Sequence, residues 1–171
     1  MKRKIKDNIS VLSGIIATIL LSSVLFFSCN GDGDPIEGES NITVKDLPQK
    51  AQDFLTNYFY GEEVKTVEKV IIESSNLILY NVSVGEYSIV FNEGGYWQQV
   101  SASYGVAIPQ GIIPEQIRAT LNQRYPGFGV NQINTSGENY EVVLTDNQGG
   151  NSIRLTFNQS GEILNESQGA E

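Results

Sequence analysis

The clearest pattern in the chain is an apolar stripe that predicts an amphipathic helix over residues 47–60. Its apolar positions follow the spacing i, i+3, i+4, i+7 and i+8, at Ala51, Phe54, Leu55, Tyr58 and Phe59. Asp46 stands where an N-cap is expected, and Pro48 falls in the first turn, where its missing N–H costs little. The glycine at position 61 predicts the end of the helix.

After this helix, apolar and polar residues alternate with the period of two that is typical of strands. Four short strands are predicted, over residues 66–73, 77–84, 87–91 and 96–100. Residues 92–95, Asn-Glu-Gly-Gly, predict a hairpin turn between the last two strands.

The same order then recurs. A second helical stripe and four further strands are predicted, with the stripe at Ile113, Ile117, Leu121 and Tyr125 and the strands over 130–134, 140–145, 153–157 and from 163. The helix openers at 47 and 113 and the Phe-Asn turns at 91 and 157 are both 66 residues apart. We therefore predict an α+β fold: a tandem repeat of one helix followed by about four antiparallel strands, with both helices packed on one face of the sheet or sheets. The other face would be open to solvent or a partner.

The N-terminus has the features of an export signal. Four basic residues precede an apolar stretch from about residue 15 to 27, which is too short for a typical membrane span. Ser28-Cys29 resembles a bacterial lipoprotein cleavage box, so we expect a signal peptide over 1–28 and a lipid on Cys29. Residues 29–42 are acidic, glycine-rich and nearly devoid of apolar residues, which predicts a flexible tether. The two repeats would then occupy residues 43–105 and 106–171.

The amino-acid inventory narrows the chemistry. Cys29 is the only cysteine and the chain has no histidine, so Cys/His zinc sites, Ser-His-Asp triads and Cys-His dyads are excluded. Glu62-Glu63 is read as a solvated helix end and not as a catalytic pair, since adjacent carboxylates rarely converge on one atom. Residues 32–34 and 146–149 offer oxygen ligands but lack the spacing of a calcium loop. We expect no enzyme activity, no cofactor and no metal.

The charge balance argues against one class of partner. The chain has 11 basic and 20 acidic residues. Removal of the signal takes four bases and one acid with it, which leaves a net charge of −12. Nucleic-acid binding needs basic surface, so we expect no nucleic acid as a partner.

The order of these motifs resembles that of a known family. The order of Leu-Pro, amphipathic helix, Tyr-Phe-x-Gly, strands, Tyr-x-Val and Phe-Asn-x-x-Gly is similar to that of the PepSY-like lipoproteins, over roughly residues 44–166. The family is described as similar to β-lactamase inhibitor protein. The resemblance implies a tandem α+β fold, an envelope location and no catalytic residues, and it implies inhibition of a peptidase or β-lactamase by analogy of fold alone.

Aromatic residues near the first hairpin are the candidate binding residues. Tyr96 and Trp97 follow the Gly94-Gly95 turn, and Tyr and Trp are enriched where interfaces concentrate their energy. Tyr87 and Tyr104 would extend this surface.

Together these patterns predict a non-catalytic binding module of the bacterial envelope, held to the outer membrane by the lipid on Cys29 and facing the periplasm or the cell surface. Its partner would be an envelope or extracellular protein, with inhibition as one outcome of binding. The alternative is a glycan or small-ligand binder of a nutrient-uptake system, because aromatic faces stack on sugars.

Overall fold

The computed structural model describes residues 40–72, 74–146 and 151–168. These ranges contain two α-helices, α1 over Gln49–Tyr58 and α2 over Glu115–Arg124, each preceded by a 3-10 turn, Val44–Asp46 and Gln110–Ile112. The described strands are β1 Ser40–Asn41, β2 Val64–Ile72, β3 Leu77–Val84, β4 Tyr87–Asn92, β5 Trp97–Ala102, β6 Phe128–Ser136, β7 Asn139–Asp146, β8 Ser152–Phe157 and β9 Ile163–Gln168.

These strands form one continuous antiparallel sheet in chain order, from β1 to β9. The predicted fold class, a tandem repeat of one helix followed by about four strands, is therefore wrong: the described residues form a single nine-stranded sheet with two α-helices, and the fold is still mixed α and β. The physical reason lies in the middle of the sheet. Residues 99–101 of β5 pair with residues 132–134 of β6, which satisfies the backbone edges that two separate units would expose.

Both helices begin later than the apolar stripes predict, because a proline precedes each of them. Pro48 and Pro114 occupy the N-cap positions in an extended conformation, and the chain turns into the helix directly after them. Before α1, the Asp46 carboxylate accepts hydrogen bonds from the Thr43 hydroxyl at 2.7 Å and the Thr43 backbone N–H at 2.9 Å. The hydroxyl contact, with the backbone contact second, lowers the pKa of Asp46.

One main hydrophobic core lies between the helices and the sheet. Ala51 and Leu55 of α1 and Ile117 and Leu121 of α2 are all buried in it. The strands contribute their alternate side chains, including Val82, Ile89, Phe91, Val100, Ile133, Val142, Leu144, Leu155 and Phe157. Because this core spans both halves of the sheet, the side chains of the two halves share one interior.

The N-terminal predictions are mostly beyond what the structure describes. The signal peptide over 1–28, the lipidation of Cys29 and the tether up to residue 39 lie outside the described residues. At the end of the predicted tether, Ser40 and Asn41 pair with Lys69 and Glu68 as strand β1. Within the described part of the chain, neither helix has the length and apolarity needed to cross a membrane.

Candidate functional site

The side of the sheet that faces away from α1 and α2 carries no described helix, and we call it the open face. Its side chains are those that alternate with the core residues along each strand. At the end formed by β2, β3 and β4 it is apolar, since Val70, Leu79 and Val90 form a second small cluster with Ile72 packed against it.

A single row of side chains crosses the open face from β2 to β9. Strand register places its members directly opposite one another, and neighbouring strands are about 4.8 Å apart. The row is mostly polar and runs Glu68, Asn81, Val90, Gln99, Asn134, Glu141, Thr156, Asn165. The open face thus presents hydrogen-bonding side chains on seven of the eight strands from β2 to β9.

Three amides of this row are poorly satisfied within the fold. Gln99 is only 3% exposed and Asn134 only 9%, and Asn81 is half-buried. The buried atoms Asn81 Oδ1, Gln99 Nε2 and Asn134 Oδ1 have no hydrogen-bond partner among the described residues. A buried polar group without a partner costs about 1–3 kcal/mol, so these atoms hold unused hydrogen-bonding capacity, which a partner reaches when the side chains that cover them move aside.

The unpaired atoms alternate in character across the sheet. Asn81 presents an acceptor, Gln99 a donor and Asn134 an acceptor. The orientation of the Asn134 amide is set by its nitrogen, because Nδ2 donates to Glu141 Oε2 at 3.3 Å. The same carboxylate oxygen lies 3.8 Å from Arg154 Nη1, so the row includes one half of an ion pair at Glu141.

The predicted binding pair at the first hairpin is split by the structure. Trp97 lies opposite Phe91 and therefore on the helix side of the sheet, where its ring centroid is 6.4 Å from that of Tyr140. Tyr96 is 56% exposed, and its ring and hydroxyl contact the ammonium group of Lys50 at the start of α1. Neither side chain reaches the open face.

The other two predicted aromatics lie in different surroundings from each other. Tyr87 packs against Phe59 on the core side, with ring centroids 4.8 Å apart. Tyr104 is 75% exposed in the segment that follows β5. The structure therefore does not bring Tyr87, Tyr96, Trp97 and Tyr104 together as one surface.

The three amides of the row were not among the binding residues predicted from the sequence, and the reason can be identified. Each occupies a strand position whose neighbour in sequence is a core residue, as in Tyr80-Asn81 and Gln99-Val100. Alternation places such amides on the far face, but it does not distinguish a solvated amide from one buried by adjacent strands. The feature of the sequence that could have indicated these amides is an uncharged polar side chain in a central strand.

The described residues contain no cluster of side chains suited to a metal ion. In the ranges 40–72, 74–146 and 151–168, no three His, Cys, Asp or Glu side chains come together as a group that could hold a metal ion. Residues 32–34 and 147–149 lie outside the described residues.

Comparison with solved structures identifies the fold. A protein of Bacteroides vulgatus ATCC 8482, described as a "putative periplasmic protein from DUF2874 family", superposes with a TM-score of 0.68 at 22% identity, covering 78% of this chain and 99% of that one. A "putative calcium-regulated periplasmic protein" of Bacteroides thetaiotaomicron gives 0.67 at 23% identity, over 75% and 96%. At such identity the likeness shows a shared fold. No curated protein matches the chain.

The sequence itself matches a protein family. Residues 78–165 fit the family described as "Putative beta-lactamase-inhibitor-like, PepSY-like". The match covers 88 of the 171 residues, which is just over half of the chain. The resemblance noted in the sequence is thereby confirmed at the level of the family, and the chain belongs to the PepSY-like family.

Proposed function

We propose that this chain is a non-catalytic binding protein of the cell envelope that receives a polypeptide partner on its open face. The observation that carries the proposal is the set of buried, unpaired amide atoms of Asn81, Gln99 and Asn134. A partner that supplies complementary donors and acceptors removes a cost that the free protein bears.

A polypeptide suits this surface better than a sugar. The open face combines an apolar cluster at Val70, Leu79 and Val90 with amides and the Glu141–Arg154 ion pair, and protein interfaces have such mixed composition. Sugar rings stack on aromatic faces. The aromatic residues of the described strands all pack against the main core: Tyr80, Tyr87, Phe91, Trp97, Phe128, Tyr140 and Phe157.

The absence of histidine and of any cysteine besides Cys29 supports a non-catalytic role. The names of the structural neighbours in Bacteroides, which describe periplasmic proteins, support a location in the envelope. We further propose that a lipid on Cys29 holds the chain to the outer membrane. Inhibition of a peptidase or β-lactamase is the activity that the family description suggests, and for this chain it follows as a proposal from that description.

Site-specific photo-cross-linking in the native envelope tests this proposal. A photoreactive residue replaces Ser101, on the open face beside Gln99, or the exposed Gln123 of α2 as the matched control. We expect one protein adduct from position 101 and none of that mass from position 123. The adduct partner, once identified by mass spectrometry, is then assayed for inhibition. The same adduct from both positions, or none from position 101, would exclude the open face as the binding surface.

A further inference from the structure

A crevice lies on the helix side of the sheet, away from the open face. It is bounded by the C-terminal half of α2, the segment that follows this helix, and strands β6 and β7, and its volume is about 260 Å³. Its floor is aliphatic: Ile113, Leu121, Val130 and Leu144 line it and are buried. The crevice therefore has an aliphatic floor beneath a rim that makes most of its accessible lining polar.

The rim of the crevice carries a positive charge. Arg118 lines it, and one guanidinium nitrogen, Nη1, donates to the Gln110 carbonyl at 3.2 Å. Among the described residues Arg118 makes no ion pair, although the chain has 20 acidic residues against 11 basic ones. A guanidinium has five N–H donors, so one backbone contact leaves most of them available.

Gln52 of α1 donates to a backbone carbonyl before its helix, as Arg118 of α2 does, and so provides a comparison. Gln52 donates through Nε2 to the Leu47 carbonyl at 2.8 Å and is also 3.4 Å from the Lys45 carbonyl. A neutral amide is thus sufficient to tie a helix to the turn before it. The guanidinium of Arg118 adds a positive charge and further N–H donors, which the hydrogen bond to a backbone carbonyl does not require.

We propose that this crevice binds a small organic carboxylate with an apolar tail. The guanidinium of Arg118 receives the carboxylate, for which its planar fork provides two parallel hydrogen bonds. The tail lies against Leu121, Val130 and Leu144. The Tyr125 hydroxyl donates to Glu166, so at the rim Tyr125 contributes its ring. The volume is slightly below that of pockets for drug-sized ligands, which favours a short chain.

Hexanoate is a suitable probe, with the complete protein observed by ¹H–¹⁵N NMR. We expect saturable shifts at amides around the crevice at millimolar hexanoate, and none on the open face. Hexanol lacks the charge and acetate lacks the tail, so each is expected to bind at least about tenfold more weakly, since hexanol forgoes the charged hydrogen bonds and acetate buries no methylene groups. Equal affinity for hexanol would overturn the role of Arg118 without any variant.

Substitutions in the protein provide a second test of the same proposal. Arg118→Gln is expected to weaken hexanoate binding about tenfold or more. Lys65→Gln, an exposed cation of β2 outside the crevice, is the matched control for the loss of one positive charge and should bind within about twofold of wild type. Equal losses in both variants, or no saturable shift in the wild-type protein, would contradict the proposal. This result is independent of whether the open face binds a polypeptide.

Discussion

Gln99 of β5 lies directly opposite Asn134 of β6, in the strand pair that joins the two halves of the sheet, and both side chains are buried with one amide atom unpaired. The backbone at this point completes the sheet, while the side chains leave hydrogen-bonding capacity unused on the open face. This combination distinguishes the site from the rest of the described interior, where apolar residues predominate.

Replacing Gln99 with Met should therefore not destabilise the free protein. Met has a similar shape and removes the unpaired Nε2, so we expect the free energy of unfolding to rise by about 1 kcal/mol. Urea unfolding followed by circular dichroism measures this change. Gln123→Met, at an exposed site on α2, should stay within about 0.5 kcal/mol of wild type. A clear loss of stability in Gln99→Met alone would mean that the amide is satisfied within the fold.

Gly161→Ala should be strongly destabilising, because the turn before β9 packs tightly on α2. Gly161 has φ +80°, and an added Cβ would lie 2.6 Å from the backbone carbonyl of Gln116. Gly105 has φ +78° with nothing within 4 Å of its Cβ position, so Gly105→Ala measures the strain of the positive φ alone. We expect about 1–2 kcal/mol for Gly105→Ala and about 1–3 kcal/mol more for Gly161→Ala by urea unfolding. Equal effects would contradict the packing described.

The unity of the sheet predicts a single cooperative unfolding transition. Trp97 is the only tryptophan and lies in β5, whereas Leu155 is fully buried in β8. Leu155→Ala should lower the free energy of unfolding by about 2–5 kcal/mol. Because one core is shared, Trp97 fluorescence and far-ultraviolet circular dichroism should shift to the same new midpoint. A fluorescence midpoint that stays at the wild-type value would indicate two independently folding halves.

Tyr125 should titrate above its ordinary value of 10.0. Burial raises the pKa of Tyr125, and so does the hydrogen bond of its hydroxyl to Glu166 at 2.8 Å. Because the folded-state pKa is raised, the stabilising contribution is complete below about pH 10 and is lost as the pH rises through the folded-state pKa. In ¹³C NMR of the Tyr ring, Glu166→Gln should lower the midpoint. Glu162→Gln, whose carboxylate accepts from Asn158, should leave it unchanged.

The local pattern predicts the strands well and their assembly poorly. The strand at residues 77–84 has the predicted bounds, and β8 differs by one residue, because alternation and turn residues are local signals. The pairing of β5 with β6 crosses both a helix and a connector, so no local pattern indicates it. The 66-residue offset favoured two units, and the continuous backbone pairing at residues 99–101 excluded that fold.

The candidate site was beyond sequence reasoning for a related reason. Aromatic content directed attention to Tyr96 and Trp97, but strand register turns Trp97 toward the core and the turn carries Tyr96 to Lys50. The burial of Gln99 and Asn134 depends on which strands flank β5 and β6, which is information about the whole sheet. The expectation that one sheet face lacks a helix followed from the small amount of predicted helix, and among the described residues no helix packs on that face.

The most direct test of the central claim is affinity capture from the native envelope with two baits compared side by side. One bait is the wild-type protein, and the other is the double variant Gln99→Met with Asn134→Leu, shown to be folded by circular dichroism. We expect the wild-type bait to retain one protein, competed away by free wild-type protein, and the double variant to retain at least about tenfold less, since two hydrogen-bonding side chains are lost. Equal retention by both folded baits would contradict recognition through the open face.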